Sequence, residues 1–298
     1  VAHQVSITSA HGERRLDRFL FAYLRDAPHP LLYKLLRKKR IKLNGAKANG
    51  SETLQDGDTL DFYLAPDTLT QLRGTRTVPE ALPIPPIIYE SADLLVINKP
   101  PGLPSQGGDA IHDHLLKRVL YYLHQTGSYD PAAPFTPALC NRLDTNTSGL
   151  VLCGKTLPAL QQATAHYTKT YLAIVQGNLS GEATITTGYQ KDAQTNTAHL
   201  APHLPKKITT HYRALAHNAT HTLLQVQPIT GRAHQIRAHL ASINHPLAGD
   251  RKYGGAPTPH APAQLLHAWR MSSPAHQWEA PPPDTFIRCI NEWFGYKI

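Results

Sequence analysis

The nonapeptide Asn141 to Gly149 places one carboxylate, Asp144, directly after Arg142 and Leu143 and directly before a run of small polar residues. An apolar run, Leu150-Val151-Leu152-Cys153, follows at once. That order reads as a loop feeding a buried strand, with an acid and a cation at its mouth. An acid fixed from behind by a strand can act as a nucleophile or as a base. Alone it would be unremarkable, because aspartate in a polar loop is usually a turn or cap residue. Four further stretches supply its company. Asn98 to Ser105 is a stiff Pro/Gly loop headed by Asn98 and Lys99, and Thr170 to Gly177 begins a strand with Tyr171. Thr230 to Leu240 opens on a glycine turn and becomes helical. Ala233, Ile236 and Leu240 share one side of it, leaving Arg232, His234, Arg237 and His239 for polar contacts. His245 to Gly254 is a loop dense in glycine and charge.

Other chemistries are set aside on the same residues. Gly149 to Thr156 satisfies the G-x-x-x-x-G-K-[ST] expression of a phosphate-binding loop. A real one wraps its middle positions around phosphates through backbone N–H groups, whereas Leu, Val, Leu and Cys here demand a strand and a core. Eighteen histidines invite a metal. However, His234 and His239 are five apart and lack the H-E-x-x-H arrangement, so no metal site is expected. Cys140, Cys153 and Cys289 form no C-x-x-C pair, which fits a reducing cytoplasm. No apolar run approaches the roughly 18 to 20 residues that span a bilayer. Residues 1 to 6 carry no charged region leading an apolar one, so no signal peptide is expected there. What remains is charge: the formal balance is +9 over 298 residues, which points to a polyanionic partner, nucleic acid first.

The elements that must position these loops divide into two units. In the first, running from about Glu13 to Leu64, Leu16, Phe19, Leu20, Tyr23 and Leu24 recur at helical spacing. A second short helix carries Leu31, Leu32, Leu35 and Leu36, with Lys34, Arg37, Lys38, Lys39 and Arg40 on its other face and end. Strands are expected at Ile41 to Leu43, before an Asn44-Gly45 turn, and at Thr59 to Leu64. Between Arg14 and Leu64 stand eleven Lys/Arg against six acids, more than half of the chain's excess charge. A contact surface for an RNA backbone explains that density better than a solvated helix end. From Ala65 to Pro86 the pattern dissolves into prolines, among them Pro66, Pro79 and Pro86, with Gly74, and reads as a semi-extended connector. Beyond Ile87 the apolar runs are short and rich in Val, Ile and Tyr. They predict an α+β domain with a mixed, largely antiparallel sheet and flanking helices.

These stretches together resemble the RluA/RluC/RluD-type family of RNA pseudouridine synthases. The family's H-R-L-D-x-x-T-S-G block matches at Asn141 to Gly149, and its N-K-P-x-G-L block at Asn98 to Leu103. Its K-x-Y-x-A-x-V-x-G strand matches at Lys169 to Gly177, and G-R-x-H-Q-I-R-x-H-L at Gly231 to Leu240. H-P-x-x-G-D-x-x-Y-G matches at His245 to Gly254, and an L-H-A segment at Leu266 to Ala268. Six blocks in the family's order are a specific signal. One letter departs: Asn141 stands where the family usually has histidine.

The resemblance implies a pseudouridine synthase fold over 87–298, joined by a connector over 67–86 to a small alpha-L (S-four-like) RNA-binding domain over 1–66. It implies an isomerase that breaks the bond from ribose to uracil N1 and reattaches the base through C5, with no cofactor. Asp144 would be the catalytic acid, attacking the anomeric carbon or removing the neighbouring ribose proton. Arg237 would pair with it, and Tyr171 would stack on the uracil or take the C5 proton. Arg142 would fill the gap left by the everted uridine, with Lys99, Arg232, His234 and Gln235 also binding substrate. Arg18, Lys34, Arg37, Lys38, Lys39 and Arg40 would hold RNA. The expected partner is large-subunit ribosomal RNA, met by a cytoplasmic monomer with no membrane association. The alternatives are a transfer RNA pseudouridine synthase and a non-catalytic RNA-binding or ribosome-assembly factor.

Overall fold

The computed structural model describes residues 2–9, 14–74, 80–107, 111–165, 167–192, 194–258, 260 and 262–296. Glu13 at the start of the first unit and Pro79 in the connector lie outside them. The first unit contains β1 (His3–Ser6), α1 (Leu16–Tyr23), α2 (His29–Arg37), β2 (Ile41–Leu43), β3 (Ala46–Lys47) and β4 (Thr59–Phe62). The strands form an antiparallel sheet in the order β1-β4-β2-β3. Leu16, Phe19 and Leu20 of α1 and Leu32, Leu35 and Leu36 of α2 pack on Leu60 and Phe62 of β4. The spacing read from the sequence therefore faces a core.

Helix α2 ends in a double backbone bond, Lys39 N–H to Leu36 C=O at 3.0 Å and Arg40 N–H to Leu35 C=O at 2.9 Å. Lys39 takes φ 56° to make it, in a place that usually belongs to glycine. Lys34, Arg37, Lys38, Lys39 and Arg40 are all exposed, as is Arg18 on α1.

The connector is not extended throughout. Pro66–Arg73 is a helix, α3. Pro66 occupies its first turn, where the missing N–H costs nothing and the fixed φ favours helix. Leu69 is buried in the first core, and Gly74 ends the helix at φ 62°. Proline here starts structure rather than breaking it.

The second unit runs β5 (Ile87–Glu90), β6 (Leu94–Lys99), α4 (Leu115–Gln125), β7 (Ala138–Leu139), β8 (Ser148–Gly154), α5 (Leu157–Ala165), β9 (Thr168–Gln176), β10 (Glu182–Asp192), β11 (Thr197–Leu200), β12 (Lys206–His217), β13 (His221–Pro228), α6 (Gln235–Ser242), β14 (Leu266–Ser272), β15 (Gln277–Glu279) and α7 (Asp284–Phe294). One sheet takes the order β11-β10-β12-β13-β9-β14-β8-β6-β5, with β15 on β14 and β7 on β8. Among the described residues every pairing in it is antiparallel except β14 with β8. Both faces are covered in its middle. Tyr171, Ala173 and Val175 of β9 face α4 and α6, while Leu172 and Ile174 face Phe286, Cys289 and Ile290 of α7. A strand covered on both faces is apolar without alternation, which is why Leu150 to Cys153 reads as an unbroken run.

Register places the motifs on a line across the sheet. Lys99 pairs with Gly149, Gly149 with Ala268, Ala268 with Tyr171, Tyr171 with Val226, and Val226 with Tyr212. Gly149 makes the crossing possible. Its φ is 111°, and an added Cβ would sit on the backbone of Ala268. Gly149→Ala should therefore destabilise the protein by about 2 to 4 kcal/mol, through backbone strain and weakened pairing of β8 with β14. A denaturant midpoint unchanged from wild type would show that β8 and β14 do not approach this closely.

Candidate active site

Asp144 lies in the loop that feeds β8, where a turn from Thr147 N–H to the Asp144 carbonyl (3.0 Å) rounds the corner. Two side chains lace this loop to the one leaving β6. The Ser105 hydroxyl donates to Leu143 C=O at 2.7 Å and accepts the Leu143 N–H at 3.0 Å. Lys99 is wholly buried, and its Nζ donates to the carbonyls of Pro100 (2.9 Å), Leu103 (2.8 Å) and Thr145 (2.9 Å). Burial presses its pKa down to about 7, with the Asp144 charge pushing back. Three carbonyl acceptors call for three protons, so the ammonium form fits the geometry. Instead of meeting the substrate, as its place in the motif suggests, Lys99 is the internal tie between the two loops. A long cation reaches three inward-facing carbonyls that the tight Pro/Gly loop cannot satisfy itself.

Arg237 rises from α6 with its side chain 8% exposed. Its Nε and Nη2 grip the two oxygens of Asp250 at 2.7 Å each, and Nη1 donates to Asp144 Oδ2 at 2.9 Å. The buried Asp250 carboxylate thus fixes the guanidinium plane, leaving one edge for Asp144, which is 27% exposed. The Tyr253 ring lies 5.1 Å from the guanidinium carbon. Burial opposes the Arg237 charge, but the bond to Asp250 and the charges of Asp250 and Asp144 outweigh it and raise its pKa. Asp250 and Tyr253 are site residues that the sequence does not single out, although the His245 to Gly254 block holds both. Asp250 is one acid among many until the fold puts it beside Arg237.

Tyr171 is 9% exposed on the central face of β9. Burial, and then the Asp144 charge, push its phenol pKa up. His234 holds a left-handed backbone (φ 55°) at the start of α6, with Nε2 3.7 Å from Asp144 Oδ1. Arg142, two residues before Asp144, and Arg232, two residues before His234, are both exposed. Gln235 does not face the site. Its oxygen accepts from Thr230 Oγ1 (2.9 Å) and Arg232 N–H (3.2 Å), and its nitrogen donates to Thr209 C=O (2.9 Å) and Thr210 Oγ1 (3.0 Å). Far from being a substrate ligand, it pins the start of α6 to β12. The polar face expected for α6 is likewise absent, since every residue from Gln235 to Leu240 is buried. His239 bonds Thr210 Oγ1 at 2.8 Å, and burial lowers its pKa to about 4.

Asn141 acquires a reason. Its amide donates to Leu150 C=O at 3.2 Å and accepts the Leu152 N–H at 2.9 Å, pairing with β8 much as another strand would. The false phosphate loop is strand β8, and its Lys155 is spent on Glu90 (2.6 Å) and Ser91 C=O (2.7 Å).

Residues 93–242 match the family described as RNA pseudouridylate synthase. The ribosomal large subunit pseudouridine synthase D of Yersinia pestis is 31% identical over 97% of this chain and 94% of its own length. The ribosomal large subunit pseudouridine synthase C of Vibrio cholerae serotype O1 is 28% identical over 84% of this chain and 80% of its own. Human RNA Pseudouridylate Synthase Domain Containing 1 shares the fold, with a TM-score of 0.56 and 23% identity over 74% of this chain and 91% of that one. The chain belongs to the RNA pseudouridylate synthase family. It is an isomerase that converts uridine in RNA to pseudouridine. Among the described residues no helix is long and apolar enough to cross a membrane.

The placement of Lys99 has a measurable consequence. Lys99→Met should cost about 3 kcal/mol or more in urea unfolding, because buried carbonyls lose their donor. RNA affinity should change little in the surviving folded fraction. A large loss of affinity at unchanged stability would return Lys99 to the substrate.

Proposed function

We propose that Asp144 is the carboxylate that carries the isomerisation, and that the uridines it acts on lie in large-subunit ribosomal RNA. The observation that carries the first part is the shared arginine: Arg237 is oriented by buried Asp250 and offers its remaining edge to Asp144. Both available roles, attack on the anomeric carbon and removal of the neighbouring ribose proton, need a carboxylate held in one direction, which the bond from Arg237 supplies. The reaction is internally balanced. The bond from C1′ to N1 breaks, a bond from C1′ to C5 forms, C5 gives up a proton and N1 gains one.

Tyr171 is best suited to stacking on the uracil. Burial and the nearby acid favour the neutral phenol over the phenolate, which argues for the ring rather than the oxygen as its working part. Arg142, exposed beside Asp144, is free to enter the gap left when the nucleotide is everted, a step that chemistry on a paired base requires.

The ribosomal assignment is supported by the names of the two bacterial relatives and by the exposed cations at the end of α2, whose unit fits an RNA-binding domain. We read the enzyme as a cytoplasmic monomer; Asp144, Tyr171, Arg237 and Asp250 belong to one chain. Mapping pseudouridines across total RNA with and without the protein tests the substrate. Sites confined to transfer RNA would overturn the ribosomal reading.

Asp144→Asn should abolish pseudouridine formation while RNA affinity stays near wild type; measurable turnover in that variant would remove Asp144 from the chemistry. Replacing Lys38, Lys39 and Arg40 together by glutamine should flatten the plot of log affinity against log salt by about 2 to 3 units of slope, one for each phosphate no longer neutralised. An unaltered slope would place the end of α2 away from the RNA.

A further inference from the structure

His234 is held by two unusual constraints. Its backbone is left-handed at φ 55°, a region that few residues other than glycine occupy, asparagine, aspartate and histidine most often among them. Its Nδ1 lies 3.0 Å from Tyr253 Oη, and that same oxygen accepts the Ala198 N–H at 2.7 Å. A backbone N–H can only donate. Among the described partners of Tyr253 Oη, His234 Nδ1 is therefore the acceptor left for its hydroxyl hydrogen. Nδ1 thus carries no proton, and the network assigns the hydrogen of the neutral ring to Nε2. Nε2 is the nitrogen nearest Asp144, 3.7 Å from Oδ1, whereas Arg237 bonds the other oxygen, Oδ2.

From this geometry we infer that His234 is a positioning residue for Asp144, locked by Tyr253 as the Nε2–H tautomer so that it steadies Oδ1 without taking the carboxylate's charge. The inference rests on Asp144 being the reacting acid. Among the described residues nothing else donates to Oδ1, so one oxygen is anchored firmly by Arg237 while the other meets a donor just beyond bonding distance. An oxygen so placed stays available to the sugar, and the weak donor limits how far it can swing. A substrate that closes the gap would complete the bond.

The groups facing the imidazole set its pH response. Burial lowers its pKa from the ordinary value; Asp144 and Asp250 push it up, while Arg237 and Lys252 press it further down. Protonating Nδ1 also requires Tyr253 to turn its hydrogen away. The ring is therefore neutral above its lowered pKa and becomes cationic only as pH falls through it. An imidazolium against Oδ1 would draw charge from the carboxylate, and turnover should fall there. Removing the Tyr253 hydroxyl withdraws a bond that only the neutral ring can accept, so it should raise that pKa.

The test is kcat against pH from about 5 to 8 on full-length protein, alongside RNA affinity. In Tyr253→Phe the acid limb should move upward by about three- to tenfold in proton concentration, as expected when one bond to the neutral form is removed. In His234→Asn, which tolerates the left-handed backbone but cannot titrate, kcat should fall about tenfold as the support at Oδ1 is withdrawn. RNA affinity should be unchanged and the limb should be gone. The same acid limb in all three proteins, or a His234→Asn defect that appears in RNA affinity alone, would overturn the inference. Asp144→Asn separates the levels: turnover surviving there defeats the assignment of Asp144, whereas a dead Asp144→Asn with unshifted limbs defeats only the tautomer lock.

Discussion

The site depends on one guanidinium shared between two carboxylates of unequal standing. Asp250 is 1% exposed and takes two of the bonds from Arg237. Asp144 is partly open and takes one. Breaking a buried pair of this kind by removing one partner costs about 3 to 5 kcal/mol, because the other charge is left unpaired. That cost is what makes the arrangement rigid. The inner acid cannot leave, so the arginine cannot turn, so the outer acid meets a cation in one fixed direction. A single Arg–Asp pair at this exposure would be loose; the second carboxylate converts it into a frame.

Around that frame the loops are fixed by groups with no chemistry of their own. Lys99 and Ser105 bind the loop leaving β6 to the loop entering β8. Gln235 binds the start of α6 to β12. Asn141 closes the side of β8. Each is a polar side chain satisfied by backbone or by a neighbouring hydroxyl, and each replaces regular structure where loops must be irregular to display the acid.

What can be read from the sequence follows the range of the interaction that decides it. The faces of α1 and α2 are local and legible in Leu16, Phe19, Leu20 and Leu32, Leu35, Leu36. Asp144 and Arg237 are legible because their neighbours in the chain carry the family blocks. Lys99 and Gln235 look like ligands because a polar side chain beside a motif carries no mark of burial; only the sheet decides whether it points in or out. Asp250 and Tyr253 stay hidden for the complementary reason, since their partners lie 13 and 19 residues away in the chain. The helix at Pro66–Arg73 is illegible because proline both breaks and starts helices, and its position in the first turn depends on where Leu69 finds a core.

The position of β14 has a bearing on when the enzyme comes into being. This strand ends at Ser272 yet lies between β8 and β9, parallel to one and antiparallel to the other. A growing chain can make β8 and β9 long before β14 exists, but it cannot space them correctly for Asp144 and Tyr171 to share a site. Pairings so distant in sequence form late, and a chain leaving the ribosome can acquire them only after β14 has emerged. An RNA-modifying activity made beside abundant RNA is thereby withheld from a growing chain that has not yet reached β14.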